Sequence, residues 1–133
     1  MVIGFFCHFA YGQVAAQNYF SSNQLEINYQ RIECHDVAND IHKSIISLEF
    51  VNLTANALSV SFNKELWYNG KCNGCNNSSE QQFSVLLNPG QTITGACSDK
   101  RNKSLYIVER MLQVNSSVLT RFELKNISIQ ITE

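Results

Sequence analysis

Hydrophobic and polar residues alternate with a period of two along most of the chain after residue 24. In the first such run, Leu25, Ile27 and Tyr29 alternate with polar neighbours. Further apolar runs lie at 46–50, 58–62, 83–87, 105–108, 122–124 and 127–131. Because successive side chains of a strand point to opposite faces of a sheet, this pattern predicts half-buried β-strands. The apolar phase shifts at Lys125-Asn126, which predicts a β-bulge or a short break there.

Turn-forming residues separate these runs. Asn88-Pro89-Gly90-Gln91 has a residue of fixed φ followed by one that accepts positive φ, as a type II turn requires. Asn69-Gly70 is a second turn signal, and the segment 52–57 has the composition to reverse the chain between two strands. Helix is predicted only as single turns within 35–43 and 108–114, because neither stretch sustains a 3.6-residue period.

About seven short strands with one apolar face each need a second layer to cover them, and two sheets packed face to face provide it. The sequence therefore predicts an all-β fold: an immunoglobulin-like antiparallel β-sandwich of about seven strands, stabilised by disulfides. Residues 17–133 form a single domain in this interpretation. The composition agrees, since 133 residues with 44% hydrophobic and 16% charged side chains describe one foldable domain.

The first residues of the chain have the character of a secretory signal peptide. Residues 1–13 contain no Lys, Arg, Asp or Glu, and Ala10-Tyr11-Gly12 places small residues where signal peptidase needs them. We therefore predict a leader over 1–16, and its missing positive charge indicates a start codon further upstream. The alternative is a hydrophobic first strand. The apolar run is far shorter than the roughly 20 residues that cross a bilayer, so we expect no stable membrane insertion.

Cleavage of that leader would remove Cys7 and leave Cys34, Cys72, Cys75 and Cys97. An even number of cysteines in a small exported domain favours two disulfides, and with them a periplasmic or extracellular location. Three pairings are possible. We favour Cys72–Cys75 with Cys34–Cys97, because cysteines close together in a glycine-containing loop meet easily, and the other two pairings stay open.

The Cys72-x-x-Cys75 spacing has two further interpretations. A zinc-stabilised domain would need four ligands, and Cys34, His35, His42 or Cys97 would have to be gathered by the fold to complete the set. A periplasmic thiol–disulfide oxidoreductase or chaperone would need a thiol activated at a helix N-terminus, and no helix is predicted after this loop. Both remain alternatives, and we expect no metal and no cofactor.

The sequence contains no catalytic motif that we could assign. It has no glycine-rich phosphate loop, no H-E-x-x-H and no EF-hand spacing. Cys34-His35-Asp36 has the residue types of a catalytic triad, but triad members converge from distant segments rather than following one another. The formal net charge of −1 gives no basis for binding nucleic acid.

Trp67 and Tyr68 end one predicted strand just before the cysteine loop. They are typical of an aromatic core that closes one end of a sandwich, and alternatively of an exposed platform for a sugar or a peptide. The candidate binding loop therefore comprises Trp67, Tyr68, Asn69, Asn73 and Glu80. The sequence as a whole predicts a small, exported, non-enzymatic binding or structural module with a protein or carbohydrate partner.

Asn-x-Ser/Thr sequences are numerous, at Asn52, Asn76, Asn77, Asn102, Asn115 and Asn126. They indicate glycosylation if the protein comes from a eukaryote. A bacterial genome of low GC content also inflates the share of asparagine, and we favour that explanation.

Overall fold

The computed structural model describes residues 16–75, 81–99 and 102–132. These residues form nine strands: β1 (Gln17–Ser21), β2 (Leu25–Asp36), β3 (Ile41–Asn52), β4 (Ala57–Tyr68), β5 (Lys71–Asn73), β6 (Gln82–Leu87), β7 (Thr92–Thr94), β8 (Tyr106–Met111) and β9 (Leu119–Thr132). Short 3-10 turns lie at Val37–Asn39 and Lys103–Leu105. Residues 1–15 of the leader predicted over 1–16, with Cys7, lie outside the described part of the chain.

The strands form two antiparallel sheets. In sheet A, β2 pairs with β1 and β3, and the other edge of β3 is shared by β7 and β8. In sheet B, β4 is central, with β9 along one edge and β6 and β5 sharing the other. Every predicted apolar run from residue 25 onwards lies in one of these strands, except that Leu105 belongs to the 3-10 turn just before β8.

The hydrophobic core lies between the two sheets. Phe50 of β3 stacks on Phe62 of β4 with ring centroids 5.6 Å apart, which joins the two layers at the centre. The buried side chains around this pair are apolar: Leu25, Ile27, Ile46, Leu48, Leu58, Val60, Val85, Leu87, Leu105, Ile107 and Leu124. Two antiparallel sheets that share one apolar core confirm the predicted all-β sandwich.

The narrower immunoglobulin-like assignment is not confirmed. Constant-type immunoglobulin domains have the strand order ABED in one sheet and CFG in the other. Here sheet A holds the first three strands of the chain together with β7 and β8. The described residues form nine strands rather than about seven: β1, β5 and β7 were not among the predicted runs, and the runs 122–124 and 127–131 form a single strand, β9. With only three residues each, β5 and β7 leave no alternating pattern to detect.

The predicted turns and the bulge are present. Gly90 has φ of +68°, and the N–H of Gln91 donates to the carbonyl of Asn88 at 3.0 Å. In β9, Ser128 pairs with Ser61 whereas Lys125 pairs with Asn63, so β9 carries one extra residue there. Asn126 absorbs it with a φ of +56°. This confirms the bulge that the phase shift predicted.

One of the two predicted helical turns is present. Within 35–43, the 3-10 turn at Val37–Asn39 connects the end of β2 to the start of β3. Within 108–114, β8 continues to Met111 and no helical turn follows it. The result is a hairpin of two strands with twelve residues each, β2 and β3.

The inner face of this hairpin changes from apolar to charged along its length. On β2, the residues that share the face of Leu25 and Ile27 are, further along, Arg31, Glu33 and His35. The hairpin therefore extends past the apolar core, and polar groups occupy its far end.

The two disulfides also lie toward that end. Cys34 of β2 is bonded to Cys97 with a Cα–Cα distance of 5.5 Å, and Cys72 of β5 is bonded to Cys75 with 6.0 Å. This is the pairing that we favoured from the sequence. Cys34 is buried, because the segment that follows β7 covers it, whereas Cys72 and Cys75 are exposed.

One potential glycosylation site is incompatible with the fold. Asn52 is only 2% exposed, and its Nδ2 donates to the carbonyl oxygens of Asn56 and Asn88 at 2.7 and 2.9 Å. A glycan on this nitrogen would break both hydrogen bonds and would have no room in the core. Its Asn-x-Ser/Thr sequence is therefore structural in origin.

The disulfides should contribute unequally to stability. In the chain-entropy model, a bridge over 63 residues of separation stabilises by about 4 kcal/mol, and one over three residues by about 2 kcal/mol. We predict that C34A/C97A lowers the free energy of unfolding in urea about twice as much as C72A/C75A. Equal losses would show that the long bridge does not restrict the unfolded chain as proposed.

Candidate functional site

The two aromatic residues of the predicted binding loop point to opposite faces of sheet B. Tyr68 lies on the inner face, where its hydroxyl donates to the carbonyl of Val108 in sheet A at 2.6 Å. Burial raises the pKa of Tyr68, so the hydroxyl keeps its proton. This side chain joins the two sheets.

Trp67 lies on the outer face, beside the exposed disulfide loop. It is directly opposite Cys72 on β5 and opposite Arg121 on β9. The guanidinium carbon of Arg121 lies 4.4 Å from the centre of a Trp67 ring, as in a cation–π contact. The indole is half-buried under this cover and does not form an open platform.

The rest of the predicted loop is a tight hairpin. Asn69 and Gly70 have φ of +51° and +81°, which closes the turn, and the Asn69 side-chain oxygen accepts from the N–H of Val118 at 3.1 Å. Asn73 is exposed at the end of β5, and Glu80 lies outside the described residues. The fold thus brings Trp67 and Cys72 together on one face, whereas Asn73 pairs with Leu66 and, like Tyr68, belongs to the other face.

The loop closed by Cys72–Cys75 packs its backbone against β4 at Gly74. Gly74 has a φ of +91°, and a Cβ at this position would come within 2.5 Å of the Lys64 carbonyl oxygen. Cys72 lies in β5, so its sulfur does not have the helix N-terminus that usually lowers a thiol pKa. All four cysteines that were candidate zinc ligands are bonded in pairs.

A cleft of about 500 Å³ opens on the outer face of sheet A, beside the Cys34–Cys97 disulfide. We call it the sheet-A cleft; the side chains that we use to define it are Asn39, Ile41, Lys43 and Tyr106, together with the two half-cystines. Ile41 is 41% exposed there. The Lys43 Nζ lies 5.6 Å from the centre of the Tyr106 ring. No motif indicated this cleft, because its lining comes from three separate segments.

Lys64 is buried on the inner face of sheet B, where β4 has Leu58, Val60 and Phe62 at the preceding inward positions. Its Nζ donates to the carbonyl oxygens of Lys103 and, at 2.9 Å, Tyr106. It also lies 4.1 Å from the centre of the Phe83 ring. Burial, with a smaller effect from the charge of Lys103, lowers the pKa of Lys64 to about 7. A lysine at an apolar position of the alternating pattern, after Leu58, Val60 and Phe62, is the feature of the sequence that could have indicated this buried amine.

Glu109 is buried beyond the apolar core and is bound by two partners. Arg31 donates to both of its carboxylate oxygens, through Nε at 2.7 and 2.9 Å, and Ser44 donates to Oε1 at 2.6 Å. Burial by itself would raise the pKa of Glu109. The hydrogen bonds from Arg31 and Ser44 and the charge of Arg31 outweigh it and hold the pKa below its ordinary value. No local pattern indicates this contact, since Arg31 and Glu109 are 78 residues apart.

Two histidines face each other at the far end of the hairpin. His35 and His42 are direct partners in the ladder between β2 and β3, and their Nδ1 atoms are 2.8 Å apart. Both were considered as zinc ligands together with Cys34 and Cys97. The fold brings the two imidazoles together but turns Cys34 to the opposite face of the hairpin, where it is bonded to Cys97. In the described ranges no three His, Cys, Asp or Glu side chains converge as a metal site.

The buried Lys64 should make stability depend on alkaline pH. Its pKa is about 7 in the folded chain against 10.5 ordinarily, so between these values the unfolded chain binds more protons and stability rises with pH. From this group alone we expect the free energy of unfolding to be roughly 3 kcal/mol higher at pH 9.5 than at pH 7.

The Lys64→Met variant should remove this dependence and be more stable than the wild type at pH 7. Urea unfolding of both proteins at the two pH values measures the difference, with the exposed Lys125→Met as the matched control. A Lys64→Met curve with the same pH dependence as the wild type would contradict the assignment.

The described residues include no helix that is long and apolar enough to cross a membrane. The chain matches no protein-family model, no curated protein and no solved structure. What the protein does must therefore be inferred from its geometry.

Proposed function

We propose that the chain is a small non-enzymatic binding module of the periplasm or the extracellular space, and that it binds its partner in the sheet-A cleft. The observation that carries the proposal is the cleft itself, with a volume of about 500 Å³ on a disulfide-bonded hairpin. Concave sites with apolar walls and a few fixed polar groups are the usual form of a binding site.

The chemistry of the cleft suits a short peptide segment. Ile41 and the ring of Tyr106 offer apolar contact, and the Lys43 ammonium and the Asn39 side chain offer polar contact at the same opening. Val37, at 80% exposure, extends the apolar surface beside Ile41. A carbohydrate would meet the same aromatic ring and polar groups, and the experiment below separates the two ligand classes.

The cleft is rigid, which favours binding. Its floor is formed by the hydrogen-bonded ladder of β2 and β3, and Cys34–Cys97 fixes its wall. A preformed site loses less conformational freedom when the ligand binds. Because both sulfurs are bonded to each other, the cleft also lacks a thiolate nucleophile, which supports a role in binding.

The proposed location rests on the disulfides. Two disulfides in a small domain are typical of oxidising compartments outside the cytosol. The leader predicted over 1–16 would direct the chain there.

Libraries of peptides and of neutral oligosaccharides provide the probes for the sheet-A cleft. We predict that peptides which bind the wild type lose about tenfold or more in affinity with Ile41→Ser or Lys43→Gln. Leu86→Ser is the matched control, because Leu86 is 70% exposed on sheet B and outside the cleft. Binding that survives both cleft variants but is lost in Trp67→Ala would place the contact surface at the β4–β5 hairpin instead.

A thiol–disulfide oxidoreductase is the second candidate, because Cys72 and Cys75 are both exposed to solvent. Structural disulfides have reduction potentials below about −300 mV. A disulfide that takes part in thiol exchange should have a potential well above that value. Equilibration in glutathione and dithiothreitol buffers, with alkylation and mass measurement, gives this potential for each bridge. We predict that Cys34–Cys97 stays oxidised in buffers that reduce Cys72–Cys75. A potential below about −300 mV for Cys72–Cys75 would exclude the redox role.

A further inference from the structure

The far end of the β2–β3 hairpin holds two imidazole rings in a defined arrangement. His35 and His42 are opposite each other in the antiparallel ladder, so their side chains emerge on the same face. Their ring centroids are 5.1 Å apart and their Nδ1 atoms 2.8 Å apart. Two nitrogen atoms at this distance need a proton or a cation between them, because their lone pairs would otherwise repel.

The other nitrogen of each ring is held by a carboxylate. The Nε2 of His35 lies 3.3 Å from Oε1 of Glu33, and the Nε2 of His42 lies 3.0 Å from Oδ1 of Asp40. A histidine that donates its Nε2–H to a carboxylate keeps its Nδ1 lone pair for a metal, and this carboxylate–histidine pair is the usual outer shell of a metal ligand. Both rings have that outer shell.

We propose that His35 and His42 chelate one divalent late transition-metal ion, and that Cu²⁺ fits best. Two cis ligands at a right angle, with metal–nitrogen bonds of about 2.0 Å, lie about 2.8 Å apart. The separation between the Nδ1 atoms is 2.8 Å, as in the tetragonal case. Each ring turns so that its lone pair points to the ion, and water fills the remaining positions. Copper also binds nitrogen ligands more tightly than nickel or zinc.

The surroundings suit a dication that enters from solvent. The side chain of His35 is 46% exposed and that of His42 14%, and those of Glu33 and Asp40 are 64% and 90% exposed. These two carboxylates place negative charge at the site. The other charged groups near this face are Arg31, which is paired with Glu109, and Arg110 of β8, which is opposite Ser44. Binding changes no oxidation state: the metal ion takes the two Nδ1 lone pairs, and the hydrogen that joined the rings moves to the Nε2 of its own ring, beside a carboxylate.

The test is calorimetric titration of the purified, untagged full chain with CuSO₄ alone, and then with NiSO₄ and ZnSO₄. We expect one Cu²⁺ per chain, bound more tightly than Ni²⁺ or Zn²⁺. The electron paramagnetic resonance spectrum of the copper complex should show coupling to two nitrogen atoms.

His35→Gln and His42→Gln should each reduce Cu²⁺ binding to the level of the double variant. Glu33→Gln and Asp40→Asn, which leave both ligands in place, should weaken it about tenfold. Unfolding in urea checks that each variant still folds. Binding that the double variant retains, or a copper spectrum without two equivalent nitrogen couplings, would overturn the proposal. Peptide binding in the sheet-A cleft is measured on the metal-free protein, so the two proposals fail independently.

Discussion

The uninterrupted ladder between β2 and β3 determines where almost every other feature lies. Twelve residue pairs run in register from Leu25–Asn52 to Asp36–Ile41. A slip of one residue would move each side chain of one strand to the other face. In the observed register, one end of the inner face carries Ile27 and Phe50 into the core, and the other end sets His35 against His42. The outer face carries Cys34, which is thereby positioned for Cys97.

The two halves of the sandwich are stabilised by different forces. Around Phe50 and Phe62 the sheets are held by apolar burial. Further along, polar groups connect them: Lys64 and Tyr68 of sheet B both donate to backbone carbonyls of sheet A. At the edge, Tyr19 of β1 bonds to the backbone of Leu124 in β9. Hydrogen bonds have directional requirements that apolar contacts lack, so these contacts specify how the sheets align where the core thins.

The same hairpin presents two different chemistries because a strand has two faces. The sheet-A cleft is on the outer side and is lined by the disulfide, an exposed isoleucine and an aromatic ring. The histidine pair is on the inner side, past the end of the core, with the side chain of His35 46% exposed and that of His42 14% exposed. The part of the hairpin that extends beyond the core thus carries both sites, one on each of its faces. The Cys34–Cys97 bridge stiffens this extension without occupying the inner face.

The alternation of residues in the sequence was sufficient for the longer strands, the bulge at Asn126 and the two-layer fold, but not for β1, β5 and β7. The turn-forming residues were sufficient for the turns at Asn69-Gly70 and Asn88–Gln91. All of these depend on neighbours within a few positions. Only the tertiary structure decided that Trp67 points outward and Tyr68 inward, since two adjacent aromatic residues fit either phase. The partners of Arg31 and Lys64 likewise come from segments far along the chain, and the pairing of His35 with His42 requires the register of the hairpin. Local periodicity determines which residues can be buried, but long-range packing decides which of them meet.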